Sequence, residues 1–174
     1  MKDLHGLTIS TASAEAGAAM ERALSSFLNF RLDVREHLSR CLAADPQFGL
    51  AHCLKGYFAM LLYKQASVAP AAQSAQTARA LVTKATAREQ AHVEALEAWV
   101  EGDLDRTLTV WETILADHPT DVLALRLAHL KIFLAGAAAG HGCVGRARCS
   151  AMGPRLARLG CDPLLPLLCV RGMR

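Results

Sequence analysis

The sequence predicts an all-α fold, in which about seven helices pair as antiparallel hairpins and an irregular C-terminal tail follows them. Composition is the first reason: 52% of the 174 residues are hydrophobic but only 5% are aromatic, and most of them are helix-favouring alanine and leucine. The second reason is that apolar side chains recur at helical spacing along the chain. The third is that short turn signals separate these segments, with no convincing strand between them.

Four helices are predicted before residue 86, at residues 13–30, 33–44, 48–63 and 69–85. Ser13 and Asp33 are of the types that cap helix N-termini, because their side chains accept hydrogen bonds from free backbone N–H groups. The third helix is apolar on nearly every side, which indicates burial between neighbours. The fourth is rich in alanine, glutamine and serine. Its composition favours a helix, but its apolar residues do not define a clear buried face.

Three further helices are predicted, the first at residues 86–100. Gly102 ends it, because glycine accepts the left-handed conformation that a helix C-terminus often needs. The next begins at Asp103 and stops before Pro119, since the residue before a proline is pushed out of the α region. Thr120 or Asp121 would cap the last, which runs to residue 134. The helix after Gly102 has a predicted buried stripe of Leu104, Leu108, Trp111, Ile114 and Leu115.

An internal repeat supports this arrangement of hairpins. Residues 42–51 align with residues 115–124, and the two prolines in these segments are separated by about twice the roughly 34-residue period of a tetratricopeptide unit. Glycine allows the tight turn between paired helices, a mid-helix aromatic fills the space between them, and proline ends the second helix. The positions that match this pattern are Pro46, Gly102, Leu108, Trp111, Leu115 and Pro119.

The likeness extends to a particular family. The segments that carry it are REQAHV at residues 88–93, WETIL at 111–115, DHPTD at 117–121, LAL at 123–125, ADP at 44–46 and TASAE at 11–15. Over about residues 8–136 the chain resembles the N-terminal part of the tetratricopeptide repeat protein 38 family, whose members are much longer. The resemblance implies an α-helical repeat scaffold, and it supplies no catalytic residues.

Binding of a protein or peptide is the function that stacked helix pairs predict, because the first helix of each pair lines a concave groove. The predicted groove-facing residues are Cys53, Tyr57, Glu89, His92, Trp99 and Arg126. We therefore expect a noncatalytic scaffold that takes a partner's helix or extended peptide into its groove. A clamp for a terminal carboxylate is not expected, since the chain's only asparagine is Asn29. Two alternatives stay open: the helical part of an enzyme whose active centre is absent here, and a nonfunctional frameshifted fragment.

Catalytic, metal and cofactor sites are not expected. His92 and its glutamate neighbours lack the HExxH spacing of zinc proteases. The four tail cysteines (Cys143, Cys149, Cys161, Cys169) contain no close pair of the kind that zinc sites use. No aromatic residue interleaves with the tail arginines, so specific nucleic-acid binding is not expected. Without a long apolar run or a secretory N-terminus, the sequence predicts no membrane association and a cytoplasmic location.

The sequence changes character near residue 136, so the predicted domains are a helical repeat domain at 1–136 and an aberrant or disordered tail at 137–174. From His141 onward there are six arginines, no lysine and one acid. Met152-Gly153 must be encoded ATG-GGN, so the frame one base later reads TGG, tryptophan, which the resembled family carries near this place. We hypothesise a frameshifted end from about residue 140, with a divergent flexible terminus as the alternative. The coding DNA distinguishes them.

The last predicted helix is apolar over most of its circumference, from Val122 to Leu134. Repeat arrays normally end in a capping helix with a polar outer face. We therefore expect the purified chain to be marginally stable and to self-associate through this helix. A melting temperature that depends on protein concentration would agree with this expectation, and a sharp, concentration-independent transition of a monomer would contradict it.

Overall fold

A computed structural model describes residues 1–138 of the chain, with their side chains through residue 131. Within that range it contains seven α-helices and no strand, which confirms the all-α class and the hairpin architecture. The predicted irregular tail, with its cysteines and arginines, lies outside the described residues from residue 139 onward. The helices are α1 (Ala14–Leu28), α2 (Val34–Ala44), α3 (Gly49–Met60), α4 (Val68–Leu81), α5 (Ala87–Glu101), α6 (Leu104–Asp117) and α7 (Val122–Ala138).

The chain divides into two compact units, and the boundary lies between Arg126 and Leu127, within α7. The first contains α1 to α6 and the first turn of α7. Of the second, the structure describes residues 127–138, which continue α7. The domain boundary predicted between residues 136 and 137 stays a prediction, and so does self-association through α7.

The helix starts follow the local signals of the sequence. The Ser13 hydroxyl accepts a hydrogen bond from the backbone of α1, and Thr86 and Glu89 cap α5 reciprocally, each side chain bonding the other's backbone N–H. Asp121, rather than Thr120, caps α7, since its Oδ1 accepts the Ala124 N–H at 2.9 Å. Asp33 precedes α2 as predicted, but its side chain makes no capping hydrogen bond.

Three hairpins, α1/α2, α3/α4 and α5/α6, make up most of the first unit, and the closest helix packing lies within each pair. Each hairpin turn contains a residue of positive φ: Phe30 at 56°, Tyr63 at 52° and Gly102 at 85°. Glycine takes this conformation freely, whereas a residue with a side chain pays roughly 1–2 kcal/mol for it. The first two turns are therefore strained, and the third, whose glycine the sequence predicted, is not.

The two proline segments of the internal repeat adopt the same position in the fold. Pro46 is the second residue after α2, and Pro119 is the second residue after α6. In both cases the next helix begins three residues later, at Gly49 or Val122. Proline cannot donate a backbone hydrogen bond, so it ends one helix and leaves a short link to the next.

Aromatic side chains fill the space between α3, α5 and α6. Trp111 is fully buried, with its ring centroid 5.6 Å from Trp99 and 5.8 Å from Tyr57. Gly56 brings α3 and α5 close together, because a methyl group there would lie 2.4 Å from the Leu96 side chain. Trp111 thus lies between the helices that flank Gly102, where the repeat pattern placed it.

The predicted buried stripe of α6 is only partly correct. Ile114 and Leu115 are buried with Trp111, and Leu108 is half-buried. Leu104, in contrast, is 38% exposed. It is the first residue of α6, directly after the turn, where the preceding helix does not cover it.

Replacing Trp111 with alanine should lower the free energy of unfolding by about 3–5 kcal/mol, because it leaves a large cavity among α3, α5 and α6. Urea denaturation followed by circular dichroism measures the loss. Thr113→Ala, on the exposed side of the same helix, should change stability by less than about 0.5 kcal/mol. A loss below about 1 kcal/mol for Trp111→Ala would contradict the described packing.

Candidate functional site

Five of the six residues predicted to line a groove are enclosed in the interior. Cys53, Tyr57, Glu89 and His92 have no exposed surface, and Trp99 is 3% exposed. Their placement on an open groove was therefore wrong. Helical spacing shows which side chains share a face, but not what covers that face, and here neighbouring helices and the N-terminal residues cover it. Arg126, the sixth, is half-buried.

Asp121 is the centre of a buried polar cluster, which comprises Tyr57, Arg88, Glu89, His92 and Asp121. Its Oδ2 accepts hydrogen bonds from Arg88 Nη1 at 2.8 Å and from His92 Nε2 at 3.0 Å. Arg88 and His92 are four residues apart on α5, so their side chains lie on the same helix face. The Oδ1 atom of Asp121 meanwhile caps α7. Both carboxylate oxygens are thus occupied.

The surroundings of Asp121 hold it in the charged form. Burial alone would raise the pKa of this carboxyl, since removal from water penalises the ion. The charge and hydrogen bond of His92, the backbone N–H of Ala124 and the charge of Arg88 outweigh burial and hold the pKa of Asp121 well below its usual range. The helix N-terminus also favours a negative charge at this position.

Tyr57 extends the cluster to α3 and α6. Its hydroxyl donates to the backbone carbonyl of His92 at 2.6 Å and accepts from Trp111 Nε1 at 3.1 Å. The Cys53 thiol donates to the same carbonyl at 3.3 Å. Burial, aided by the neighbouring Cys53, raises the pKa of Tyr57 well above its usual value, so the hydroxyl stays neutral.

The residues before α1 form an N-terminal hairpin, residues 1–10, that covers the cluster. Arg88 Nη2 donates to the Thr8 carbonyl at 3.2 Å, and the Ser10 N–H donates to Glu89 Oε1 at 3.0 Å. The Met1 side chain packs on Gly17, leaving no room for a Cβ there. Arg88 and Glu89 therefore join this hairpin to α5.

A small cavity lies beside the cluster, between the N-terminal hairpin, α1 and the start of α7. Its volume is about 20 Å³ and its lining includes Arg88 and Asp121. That is room for about one water molecule, so neither a peptide nor a metabolite fits without movement of the surrounding helices.

The side chains of the buried polar cluster bond to one another and to the backbone, and they are enclosed by the surrounding helices. An Asp-His-Tyr sequence of contacts can in principle activate a hydroxyl, but the Tyr57 proton is donated to a backbone carbonyl and the group is enclosed. Burial also raises the pKa of the Cys41 thiol to about 11, helped by Asp45, and that of Cys53 further still. Within the described residues, no three His, Cys, Asp or Glu side chains converge as a metal site.

Two members of the cluster, Arg88 and Asp121, were not among the predicted site residues. Arg88 and His92 follow i, i+4 spacing, which marks them as neighbours on one helix face. Asp121 was recognised only as a possible helix cap. The hydrogen bond between Arg88 and Asp121 joins residues 33 positions apart in the chain. No local sequence pattern predicts which residues so far apart will meet.

Removing the charge of Asp121 should strongly destabilise the fold. Asp121→Asn leaves Arg88 buried without its counterion, at a cost of about 3–5 kcal/mol, measurable by urea denaturation at pH 7. The folded-state pKa lies below the unfolded value of about 3.9, so the carboxylate's stabilisation is complete above about pH 4 and declines as the pH falls further. The variant should therefore lose less stability than the wild type between pH 4 and pH 3.

Asp117→Asn is the matched control, because Asp117 is exposed at the end of α6. It should stay within about 0.5 kcal/mol of the wild type at pH 7. Equal stability of the Asp121→Asn and Asp117→Asn variants would show that the buried cluster does not support the fold.

No protein-family model matches the sequence, and no solved structure gives a significant match. In the described part of the chain, no helix is both long and apolar enough to cross a membrane. The resemblance of residues 8–136 to the tetratricopeptide repeat protein 38 family stays a prediction from the sequence.

Proposed function

We propose that this chain is a noncatalytic helical-repeat scaffold that binds a protein or peptide, in the cytoplasm, as the sequence led us to expect. The observation that carries the proposal is the gathering of large exposed apolar side chains at the turns within the hairpins. Phe30 and Leu32 follow α1, Leu62 follows α3, and Leu104 follows the α5/α6 turn. Leu32 is 99% exposed and Phe30 is 75% exposed.

These turns lie at one end of the array. The rings of Phe27 and Phe58, close to the ends of α1 and α3, are 5.2 Å apart, and Tyr57 and Trp99, in the last turns of α3 and α5, are 6.0 Å apart. The first helices of the three hairpins therefore end side by side. Exposed apolar groups that share one edge of a molecule are typical of surfaces that other molecules cover.

The closed interior also supports a binding role over a catalytic one. The nucleophilic and titratable side chains of the cluster, such as Tyr57 and His92, have no exposed surface. The cavity beside them holds about one water. A partner would instead meet the edge formed by the hairpin turns, which needs no rearrangement of the core.

Affinity capture with the immobilised full chain tests the proposal. We expect the wild type to retain proteins that a Leu32→Ser/Leu62→Ser variant does not, because the variant removes two exposed apolar contacts without touching the core. Leu4→Ser is the control, since Leu4 is 80% exposed but lies in the N-terminal hairpin; it should retain the same proteins. The same preparations should show no turnover in hydrolase and transferase screens.

Equal retention by the wild type and the turn variant would contradict the use of this edge. Turnover that follows the protein through purification would contradict the noncatalytic role, and would favour the alternative that the chain is the helical part of an enzyme.

A further inference from the structure

The buried polar atoms without a hydrogen-bond partner are concentrated at the first hairpin turn. Among the described residues they are Asp33 Oδ1, His37 Nδ1, and Nε and Nη2 of Arg126. Asp33 lies in the turn, His37 follows it on α2, and Arg126 packs against the turn from α7. Folded proteins satisfy the large majority of such atoms, so several unsatisfied ones at one place require an explanation.

Arg126 is held against the turn by an aromatic contact. The carbon of its guanidinium lies 4.3 Å from the centroid of the Phe30 ring, within the range of a cation–π interaction. Phe30 has a left-handed backbone, which brings this ring to Arg126 at a conformational cost. The turn thus places an exposed aromatic side chain over a guanidinium that lacks hydrogen-bond acceptors.

The two unpartnered atoms of Arg126 define the chemistry of the missing acceptor. Nε–H and Nη2–H point in parallel from one edge of the guanidinium, and this edge matches the two oxygens of a carboxylate. The charges around the turn favour an anion. Asp33 pairs with Arg31 at 3.2 Å and Glu36 pairs with Arg40, which leaves the positive charges of Arg126 and of the exposed Arg35.

The turn that carries Phe30 also presents apolar side chains to solvent. Leu32 is almost completely exposed, and most of the Phe30 ring is exposed too. A carboxylate and an apolar side chain occur together in a peptide that contains an acidic residue beside an apolar one.

We propose that the first-turn site, formed by Phe30, Leu32, Asp33, His37 and Arg126, binds a peptide segment in which aspartate or glutamate adjoins an apolar residue. The carboxylate pairs side-on with Arg126 once the Phe30 ring shifts from the guanidinium. The apolar side chain packs on Leu32 and on the displaced ring. This inference rests on the proposed function and specifies its ligand class.

Selection from a displayed library of random peptides, with the full chain as target, tests the site. Enriched peptides should share an acidic residue beside an apolar one. Their affinity, measured by fluorescence anisotropy, should fall at least about tenfold with Arg126→Gln, since a charged hydrogen-bonded pair is lost. Leu32→Ser should also weaken binding. Changing the peptide's acid to its amide should have no further effect in the Arg126→Gln variant.

Two controls and one conservative variant keep the result interpretable. Arg106→Gln and Leu4→Ser, at exposed positions away from this turn, should leave the affinity within about twofold of the wild type. If circular dichroism shows that Arg126→Gln is not folded, Arg126→Lys replaces it. Lysine keeps the charge but lacks the side-on pair of donors, so this variant should also weaken binding.

The possible outcomes distinguish failure of the first-turn site from failure of the proposed binding function. Enriched peptides that lack acidic residues, or whose affinity does not change in the Arg126 and Leu32 variants, overturn the first-turn site and leave peptide binding in place. The absence of any enriched peptide overturns both the site and the proposed function.

Discussion

The carboxylate of Asp121 carries a negative charge into the interior, and the described part of the fold is arranged around its neutralisation. It accepts hydrogen bonds from Arg88 and His92 on α5 and from the first turn of α7. Arg88 also bonds the Thr8 carbonyl. A buried ion pair adds little net stability relative to a well-packed apolar core, so its main consequence here is positional. The N-terminal hairpin, α5 and the start of α7 must meet where all these bonds form together.

His92 connects the buried carboxylate of Asp121 to α3 and α6. Asp121 orients the His92 ring, while the His92 carbonyl accepts the Tyr57 hydroxyl and the hydroxyl accepts Trp111 Nε1. Helical repeats usually contact only their neighbours in the stack. The bonds between α3, α5 and α6 follow this rule, because these helices belong to adjacent hairpins. The bonds from the N-terminal hairpin to α5 do not, because they pass over the first two helical hairpins in chain order. Loss of one partner therefore leaves several buried polar groups unsatisfied at once, which makes the network cooperative.

Local features of the fold could be predicted from the sequence, because a few adjacent residues determine them. Gly102 and Thr86 mark helix ends by their own backbone and side-chain chemistry. The partners of Asp121 lie 29 and 33 positions away, and amphipathic spacing does not specify which faces meet. For that reason Tyr57 and His92 were placed on a groove although they lie in the core. The left-handed backbone of Phe30 had no signal either, since a bulky residue normally avoids it.

Hydrogen bonding in the interior differs from hydrogen bonding at the first hairpin turn. In the buried cluster, both oxygens of Asp121 and both of Glu89 have donors. At the turn, Arg126 lacks acceptors at two nitrogen atoms although its side chain is only half-buried. These two nitrogen atoms have almost no contact with solvent, so bulk water does not supply the missing acceptor in this arrangement. The proposed binding mode therefore requires movement of the Phe30 ring, which lies over the guanidinium, before a ligand carboxylate can supply it.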